Sequence, residues 1–126
     1  MNYKNYCVFC ENKHEIMLEN DLAFAILDKF PVTKGHTLII PKRHFPDYFN
    51  ITTEELNAIH ELILLRKEEL IQQDKAISGF NIGINNGRTA GQTIMHLHFH
   101  LIPRRDNDST DPTGGVRGVI AGKQKY

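Results

Sequence analysis

Three histidines alternate with apolar residues in the segment IMHLHFHLI, residues 94–102. Alternation with a period of two is typical of a β-strand, so we expect His96, His98 and His100 on one face and their apolar neighbours on the other. Neutral imidazole is a nucleophile and a general acid or base at pH 7. One imidazole attacking phosphorus would give a phosphoramidate that water cleaves later, while a neighbouring imidazole donates to the phosphate. The alternative is a solvent-facing polar strand without chemistry.

A single metal ion cannot be bound by the whole histidine row. Alternate residues of a strand are about 6.6 Å apart, which separates His96 from His100 by about 13 Å, whereas a zinc–nitrogen bond is about 2.1 Å long. The pattern therefore predicts that one end of the row binds a metal and that the rest serves catalysis. The pair Cys7-x-x-Cys10 also has a spacing typical of metal or redox sites. A thioredoxin-like redox motif would need a preceding strand and a following helix, which favours the metal interpretation.

The elements before the histidine row must position it. Short apolar runs bounded by turn residues predict strands at 22–28, 37–41 and 80–84, and the histidine strand at 94–102 is expected to end at Pro103. Residues 51–73 predict one long helix, in which Thr52 and Glu55 form a capping box. We expect His60, near the apolar stripe of this helix, to be a partly buried packing residue. A polar, glycine-containing loop at 85–93 connects the last two strands.

Length and charge restrict the class of protein. The chain has 126 residues, 40% of them hydrophobic, which suits one domain. Fifteen basic residues balance fifteen acidic ones, so there is no net field for a polyanion and we expect no nucleic-acid partner. The apolar runs are too short for a transmembrane helix, and the N-terminus lacks the apolar core of a signal peptide. We therefore expect a cytoplasmic protein with no membrane partner.

The histidine row resembles the histidine triad superfamily, whose pattern alternates three histidines with apolar residues. The segment GHTLIIPKRH at 35–44 and the loop GQT at 91–93 resemble the same superfamily, and the tail GGVRGVI at 114–120 is similar to prokaryotic diadenosine-polyphosphate-hydrolase-like members. The resemblance covers nearly the whole chain. It implies an α+β fold with a five-stranded antiparallel sheet, one long helix and a shorter N-terminal helix. It also implies a single domain over residues 1–126, with 104–126 as an extended tail, and a homodimer.

The resemblance further implies chemistry at the α-phosphorus of a purine nucleotide. His98 would be the nucleophile that forms a covalent nucleotidyl intermediate, His100 would contact the phosphate and assist the leaving group, and His36 would support them from behind. The implied substrate is a nucleoside phosphoramidate or a (di)nucleoside polyphosphate, and the product is a nucleoside monophosphate. The implied nucleotide contacts are Asp28 at the ribose and, at the phosphates, Asn85, Gln92, Thr93 and His100. A nucleotidyltransferase and a nucleotide-binding interaction module remain alternatives.

Two thiolates need two further ligands to close a tetrahedral zinc site. Zinc-containing members of the superfamily pair an N-terminal Cys-x-x-Cys with the histidine that ends the PKRH segment and with the first triad histidine. The resemblance thus implies a structural zinc ion on Cys7, Cys10, His44 and His96. The alternatives are a surface role for His44 and two buried thiols of no special role.

Two other groups of residues have two interpretations each, and Arg117 has one further predicted role. Apolar residues near Asp28 form either a wall for the purine or part of the core: Phe24, Ile26 and Leu38. Basic residues near the predicted site form either a phosphate-binding patch or solvated flanks: Lys42, Arg43, Arg104 and Arg105. The glycine-rich setting of Arg117 would let the tail reach the site of a partner subunit.

Overall fold

The structure, a computed structural model, describes residues 7–11 and 13–126. Five strands form one antiparallel sheet, in the order β1-β2-β3-β5-β4 across it. In chain order they are β1 (Ile16–Glu19), β2 (Ala23–Leu27), β3 (Thr37–Pro41), β4 (Ile77–Gly83) and β5 (Phe99–Arg105). The last strand of the chain is therefore inserted between β3 and β4. The predicted α+β fold with a five-stranded antiparallel sheet is confirmed.

One long helix, α1 (Thr53–Gln73), covers one face of the sheet. The predicted capping box is present at its start, since the Thr52 hydroxyl accepts from the N–H of Glu55 and the Glu55 carboxylate accepts from the N–H of Thr52. Buried side chains of α1 and of the sheet meet between them: Ile59, Leu62, Ala23, Ala25 and Ile39. His60 is exposed, so the expected packing role for this residue is wrong.

The N-terminal segment covers part of the opposite face of the sheet. One cluster of buried side chains joins this segment to β2 and β3: Cys7, Phe9, Phe24, Ile26, Leu38 and Ile40. The apolar residues near Asp28 therefore belong to the core. The resemblance implied a short N-terminal helix, but residues 7–11 form a turn in which the N–H groups of Cys10 and Glu11 both donate to the Cys7 carbonyl. Residues 1–6, where the rest of the N-terminus lies, are outside the described residues.

The histidine strand differs from the prediction at both ends. It begins at Phe99 instead of residue 94, so His96 and His98 lie in an irregular segment before β5 and only His100 is on the strand. It also continues through Pro103, which pairs with Phe80 of β4. The Pro103 carbonyl accepts from the Thr33 hydroxyl. This side of β5 faces β3, but Pro103 lies beyond Thr37, where β3 begins. The missing N–H of the proline therefore interrupts no ladder hydrogen bond.

The tail begins two residues later than expected, because residues 104 and 105 belong to β5. It contains a short 3₁₀ helix, Gly115–Val119, which we call the tail helix. A second 3₁₀ segment, Tyr48–Asn50, precedes α1, and a third, Arg88–Ala90, lies in the 85–93 loop. Within the described part of the chain, no helix combines the length and the apolar character needed to cross a membrane.

Candidate active site and metal cluster

The predicted catalytic residues meet at one edge of the sheet. Asp28 follows β2 and His36 precedes β3, and their backbones are joined by a hydrogen bond from the Asp28 N–H to the His36 carbonyl (3.0 Å). His100, near the start of β5, pairs with Leu38 on one side and with Gly83 on the other. The β2–β3 hairpin sets Asp28 beside His36, and the register of β3 with β5 sets His100 opposite Leu38, two residues after His36, so the functional side chains lie together.

Two buried hydrogen bonds determine the tautomer of His100. The Val32 N–H donates to Nδ1 of His36 (3.0 Å), so the neutral His36 ring carries its proton on Nε2. That Nε2 lies 2.9 Å from Nδ1 of His100, and His36 is therefore the donor and His100 the acceptor. A neutral His100 then keeps its proton on Nε2. This N–H is a hydrogen-bond donor suited to a phosphate oxygen.

Burial favours the neutral forms of both imidazoles. Desolvation lowers the pKa of His36, although the nearby Asp28 carboxylate partly opposes this effect. Burial, with smaller contributions from the neighbouring His98 and His36, lowers the pKa of His100 to about 4, and the Asp28 carboxylate partly opposes this. The tautomers set by the hydrogen bonds are therefore the forms present near pH 7.

Asp28 is held beside this pair. Its Oδ1 accepts from the Phe30 N–H (2.8 Å), and its Oδ2 lies 3.5 Å from Nε2 of His36. The carboxylate is partly buried. The structure thus places Asp28 next to the histidines with one oxygen engaged in a local turn.

His98 has the tautomer that a nucleophile needs. Its Nδ1–H donates to the backbone carbonyl of His96 (2.8 Å), which leaves Nε2 with a free lone pair. The ring of His98 lies 5.3 Å from that of His100 and 5.1 Å from that of Phe9, measured between centroids. Sequence analysis did not identify Phe9 as part of the site. The available signal was its position inside the Cys-x-x-Cys turn, which carries it to the active site.

The 85–93 loop contains three predicted nucleotide contacts, and the structure places them differently. Gln92 is buried and fully used within the protein, since its amide donates to the carbonyls of Pro46 (3.0 Å) and Ile94 (3.2 Å) and its oxygen accepts from the Gly87 N–H (2.8 Å). These hydrogen bonds fasten the loop, and the phosphate contact of Gln92 stays a prediction. Asn85 lines a cavity together with His36 and His100. Thr93 is exposed.

The four predicted metal ligands also come together. The Nδ1 atoms of His44 and His96 are 3.1 Å apart, and Sγ of Cys10 lies 3.3 Å from the first and 3.5 Å from the second. Sγ of Cys7 is 3.4 Å from Nδ1 of His96. In a tetrahedral zinc site, bond lengths of about 2.1 Å to nitrogen and 2.3 Å to sulfur give nitrogen–nitrogen and nitrogen–sulfur separations of about 3.4–3.6 Å. The arrangement therefore fits zinc with shifts of a few tenths of an ångström.

A second interaction prepares His96 for metal binding. Its Nε2–H donates to the Pro41 carbonyl (2.7 Å), so Nδ1 carries the lone pair that faces the thiols. Burial lowers the pKa of His96 to about 4, which favours the neutral ring that a metal requires. The two cysteines form no disulfide. The donor set of two sulfurs and two imidazole nitrogens is the one that structural zinc sites use.

The basic residues near the site do not form a phosphate patch, since each is paired with a carboxylate. The pairs are Lys42–Glu19 (2.8 Å), Arg43–Glu55 (2.8 Å), Arg104–Asp108 (2.8 Å) and Arg105–Asp74 (2.9 Å). At the histidines themselves, imidazole and amide N–H groups are the donors that face a bound anion.

The sheet brings three histidines, a carboxylate and a Cys₂His₂ cluster together. This arrangement agrees with the comparison with known families. The sequence profile of the HIT domain matches residues 10–107. The chain belongs to the histidine triad (HIT) family, as its sequence motif predicted.

Its relatives include proteins with and without a described activity. It is 41% identical to an uncharacterized 16.1 kDa HIT-like protein of Mycoplasma pneumoniae over 79% of this chain and 72% of that protein. It is 36% identical to the adenylylsulfatase HINT3 of Arabidopsis thaliana over 83% of this chain, but this match spans only 55% of HINT3.

Solved structures show the same fold. A zinc-bound histidine triad family protein from Mycobacterium smegmatis is 32% identical, with a TM-score of 0.74 over 86% of this chain and 81% of that chain. A diadenosine triphosphate hydrolase of Plasmodium falciparum, solved with cyclomarin A, is 28% identical, with a TM-score of 0.71 over 77% of this chain and 65% of that chain.

Proposed function

We propose that this protein is a nucleotide hydrolase that acts at the α-phosphorus through a covalent nucleotidyl–His98 intermediate. The single observation that carries the proposal is the tautomer of His98, whose Nδ1–H is held by the His96 carbonyl (2.8 Å) so that Nε2 is free to attack. A module that only binds nucleotides has no need for an oriented lone pair. A sulfatase of adenylyl sulfate and a diadenosine triphosphate hydrolase among similar proteins support this class of reaction.

In the first step, the lone pair of Nε2 of His98 forms a bond to phosphorus, and the bond to the leaving group breaks. The leaving group takes the bonding electron pair and acquires a proton from water. The positive charge on the nucleotidyl-imidazole is stabilised by the hydrogen bond from Nδ1–H to the His96 carbonyl. Nε2–H of His100, in the tautomer that His36 imposes, donates to the phosphate as its charge is redistributed.

In the second step, the hydroxide left by that proton transfer, or an equivalent water that loses a proton, attacks the same phosphorus. The phosphorus–nitrogen bond breaks, its electrons return to Nε2 of His98, and a nucleoside monophosphate is released. Splitting one displacement into two in this way lowers each barrier. The net reaction adds the elements of water across the bond between phosphorus and the leaving group.

The remaining site residues receive roles that agree with their positions. Asp28 binds the ribose hydroxyls through Oδ2, because its Oδ1 is engaged by the Phe30 N–H. Asn85 and Thr93 contact the phosphates, and Gln92 holds their loop in place. We propose a purine nucleotide as the substrate and a homodimer as the assembly, as the family resemblance implies.

We propose a structural zinc ion on Cys7, Cys10, His44 and His96, which would cross-link the N-terminal turn to the segment before β5. A zinc-bound relative of similar fold supports this assignment. The ligating turn sets Phe9 against His98, and the carbonyl of His96 orients the nucleophile. The reduced thiols that the cluster needs are consistent with a cytoplasmic location.

Single-turnover hydrolysis of a panel of nucleotides tests this function. The panel contains a nucleoside phosphoramidate, an adenylyl sulfate and a dinucleoside polyphosphate. Wild-type protein is expected to release a nucleoside monophosphate from at least one of them, and His98→Ala to be at least about a thousandfold slower. His60→Ala, at an exposed histidine of α1, serves as the control and should match wild type. Wild-type rates retained by His98→Ala would refute the nucleophile, and transfer of the nucleotidyl group to added phosphate in preference to water would identify a transferase.

A further inference from the structure

A second cavity lies on the face of the sheet that α1 covers, and we call it the helix-side pocket. Its volume is about 530 Å³, which is within the range of pockets that bind small molecules. Its walls come from the second half of α1, from the connection between β2 and β3, and from residues of β1, β2, β4 and β5. None of the residues assigned to the nucleotide or to the metal lines it.

The sheet itself separates the helix-side pocket from the histidine site. Thr37 of β3 points toward α1, because its Oγ1 accepts a hydrogen bond from Nε of Arg66 (2.9 Å). Successive residues of an extended segment point to opposite faces, so the preceding residue, His36, points to the other side, where it contacts His100. A ligand in the helix-side pocket therefore leaves the nucleotide site open.

Arg66 gives the pocket a buried donor that is not used by the protein. Only 2% of this residue is exposed, and it lines the pocket. Its Nε donates to Thr37 and its Nη1 donates to Glu69 (3.0 Å), whereas its Nη2 makes no hydrogen bond to any described residue. No fully buried polar side-chain atom in the described part of the chain lacks a partner, so Nη2 keeps access to solvent on the side of the pocket. A guanidinium with a free N–H favours an anionic acceptor.

The charges around the pocket favour a ligand with one negative charge. The charged lining residues are three cations and one carboxylate: Lys34, Arg66, Arg105 and Asp74. Asp74 pairs with Arg105 (2.9 Å), and Glu69 pairs with one nitrogen of Arg66. Lys34 is exposed and forms no ion pair with a described carboxylate. A monoanion would balance this remaining charge, whereas a phosphate dianion would bring excess negative charge close to Asp74 and Glu69.

The uncharged part of the lining is mostly apolar. Met17, Leu27, Leu70 and Ile77 contribute their side chains to it. Leu27 is 46% exposed, so a hydrocarbon group in the pocket would cover apolar surface that water now reaches. The lining therefore suits a molecule that combines one acid group with an apolar body.

We propose that the helix-side pocket binds a small organic acid, whose carboxylate accepts from Nη2 of Arg66 and from Nζ of Lys34 and whose hydrocarbon body lies against the apolar side chains. The acid binds directly behind His36, since the Thr37 hydroxyl that Arg66 holds donates in turn to the Gly35 carbonyl (2.8 Å). The inference goes beyond the proposed function and does not depend on the nucleotide chemistry.

Calorimetric titration with butanoate, hexanoate and octanoate tests the site. The affinity is expected to rise about fourfold for each methylene buried. Hexanol has the hydrocarbon body without the charge, and it should bind at least about tenfold more weakly than hexanoate. In nitrogen–proton NMR spectra, hexanoate should shift the amide signals of Lys34, Gly35 and Leu70. A saturating nucleoside monophosphate should leave the hexanoate affinity unchanged, because the sheet separates the two sites.

Variants at the rim test the charge of the pocket without removing Arg66, whose loss would also deprive Thr37 of its partner. Gln73→Glu adds a negative charge to the lining and should weaken hexanoate binding about fivefold at low salt. Gln72→Glu is the matched control, since this exposed neighbour in α1 does not line the pocket and the variant should bind as wild type does. Lys34→Gln should weaken binding by a similar factor.

The possible results separate this inference from the proposed function. Equal affinities for hexanoate and hexanol would overturn the inference, as would wild-type affinity in Gln73→Glu. Displacement of hexanoate by the nucleoside monophosphate, or NMR shifts centred on His98 and His100, would overturn it too, because the acid would then occupy the histidine site. The expected hexanoate binding in a protein that hydrolyses none of the nucleotides would support the pocket and refute the proposed function instead.

Discussion

Loss of one cysteine from the metal cluster is expected to remove zinc and to destabilise the fold. Cys10 is the informative position, because its Sγ lies 3.3 Å and 3.5 Å from the Nδ1 atoms of His44 and His96. Serine at this position keeps the size of the side chain but is a far weaker zinc ligand than a thiolate. We therefore expect wild-type protein to bind about one zinc ion per chain and Cys10→Ser to bind close to none under the same conditions.

The size of the stability change follows from binding linkage. A metal present at 100 times its dissociation constant adds about 2.7 kcal/mol to the free energy of unfolding. For a domain of this length, that energy corresponds to about 10 °C in Tm. The cluster joins the N-terminal turn to the segment before β5, so its loss releases both the cover over β2 and β3 and the backbone that orients His98. Activity should therefore fall together with stability.

Metal analysis and scanning calorimetry measure these two effects. Wild-type protein is prepared without exposure to chelator, and half of it is then treated with EDTA. His60→Ala controls for replacement of a histidine outside the cluster. The expected result is a lower Tm for both the chelated wild type and Cys10→Ser, with chelator having no effect on the variant. The reasoning fails if untreated wild type contains no zinc, or if its Tm is the same with and without the chelator.

Three further predictions follow from the hydrogen bonds of the site. His36→Leu removes the donor to Nδ1 of His100, so kcat should fall about a hundredfold with KM little changed. Nitrogen NMR of the variant that still shows only the Nε2–H tautomer of His100 would contradict the role of His36. Burial lowers the pKa of His100 from 6.5 to about 4, so at this residue the unfolded chain binds a proton that the folded chain does not. The contribution of His100 to stability should decline by at most about 1.4 kcal/mol per pH unit as the pH falls from 6.5 to 4. Urea unfolding that shows no loss across this range in wild type, compared with His100→Asn, would refute the assignment. Gln92→Glu replaces an amide that donates to two carbonyls by an acceptor, so the free energy of unfolding measured in urea should drop by about 2 kcal/mol. An unchanged free energy would show that Gln92 does not fasten the loop.

The sequence predicted those helices and strands whose boundaries depend on residues close together in the chain. The capping box of Thr52 and Glu55 defines the start of α1 within the chain itself, and the structure contains it. The run TLIIP predicted β3 at 37–41, and all five of its residues are buried in the middle of the sheet. β1 was not assigned to any residues, because Ile16–Glu19 is only four residues long and lies at the edge of the sheet without alternating burial.

The histidine row shows where periodicity misleads. Its alternation predicted one straight strand, but the three rings have different partners: the metal cluster for His96, a backbone carbonyl for His98 and His36 for His100. The partners of His96 and His100 come from distant parts of the chain, so single-sequence periodicity does not reveal them. The same holds for Gln92, whose type suggested a ligand contact and whose burial shows a role in holding the loop.

The cluster of candidate metal ligands was predictable because zinc chemistry restricts both residue type and number. Cys-x-x-Cys supplies two ligands with a local spacing, and the resemblance supplied His44 and His96 from far along the chain. The structure brings all four donor atoms within 4.8 Å of one another.

The covalent intermediate is the central claim, and mass spectrometry of the intact protein tests it most directly. The protein is mixed with a nucleotide that it hydrolyses and quenched within one turnover, under conditions that preserve phosphorus–nitrogen bonds. The account predicts an added mass equal to one nucleotidyl group, located on His98 by peptide mapping and missing from His98→Ala. Turnover without any adduct, or the adduct on another residue, would contradict it.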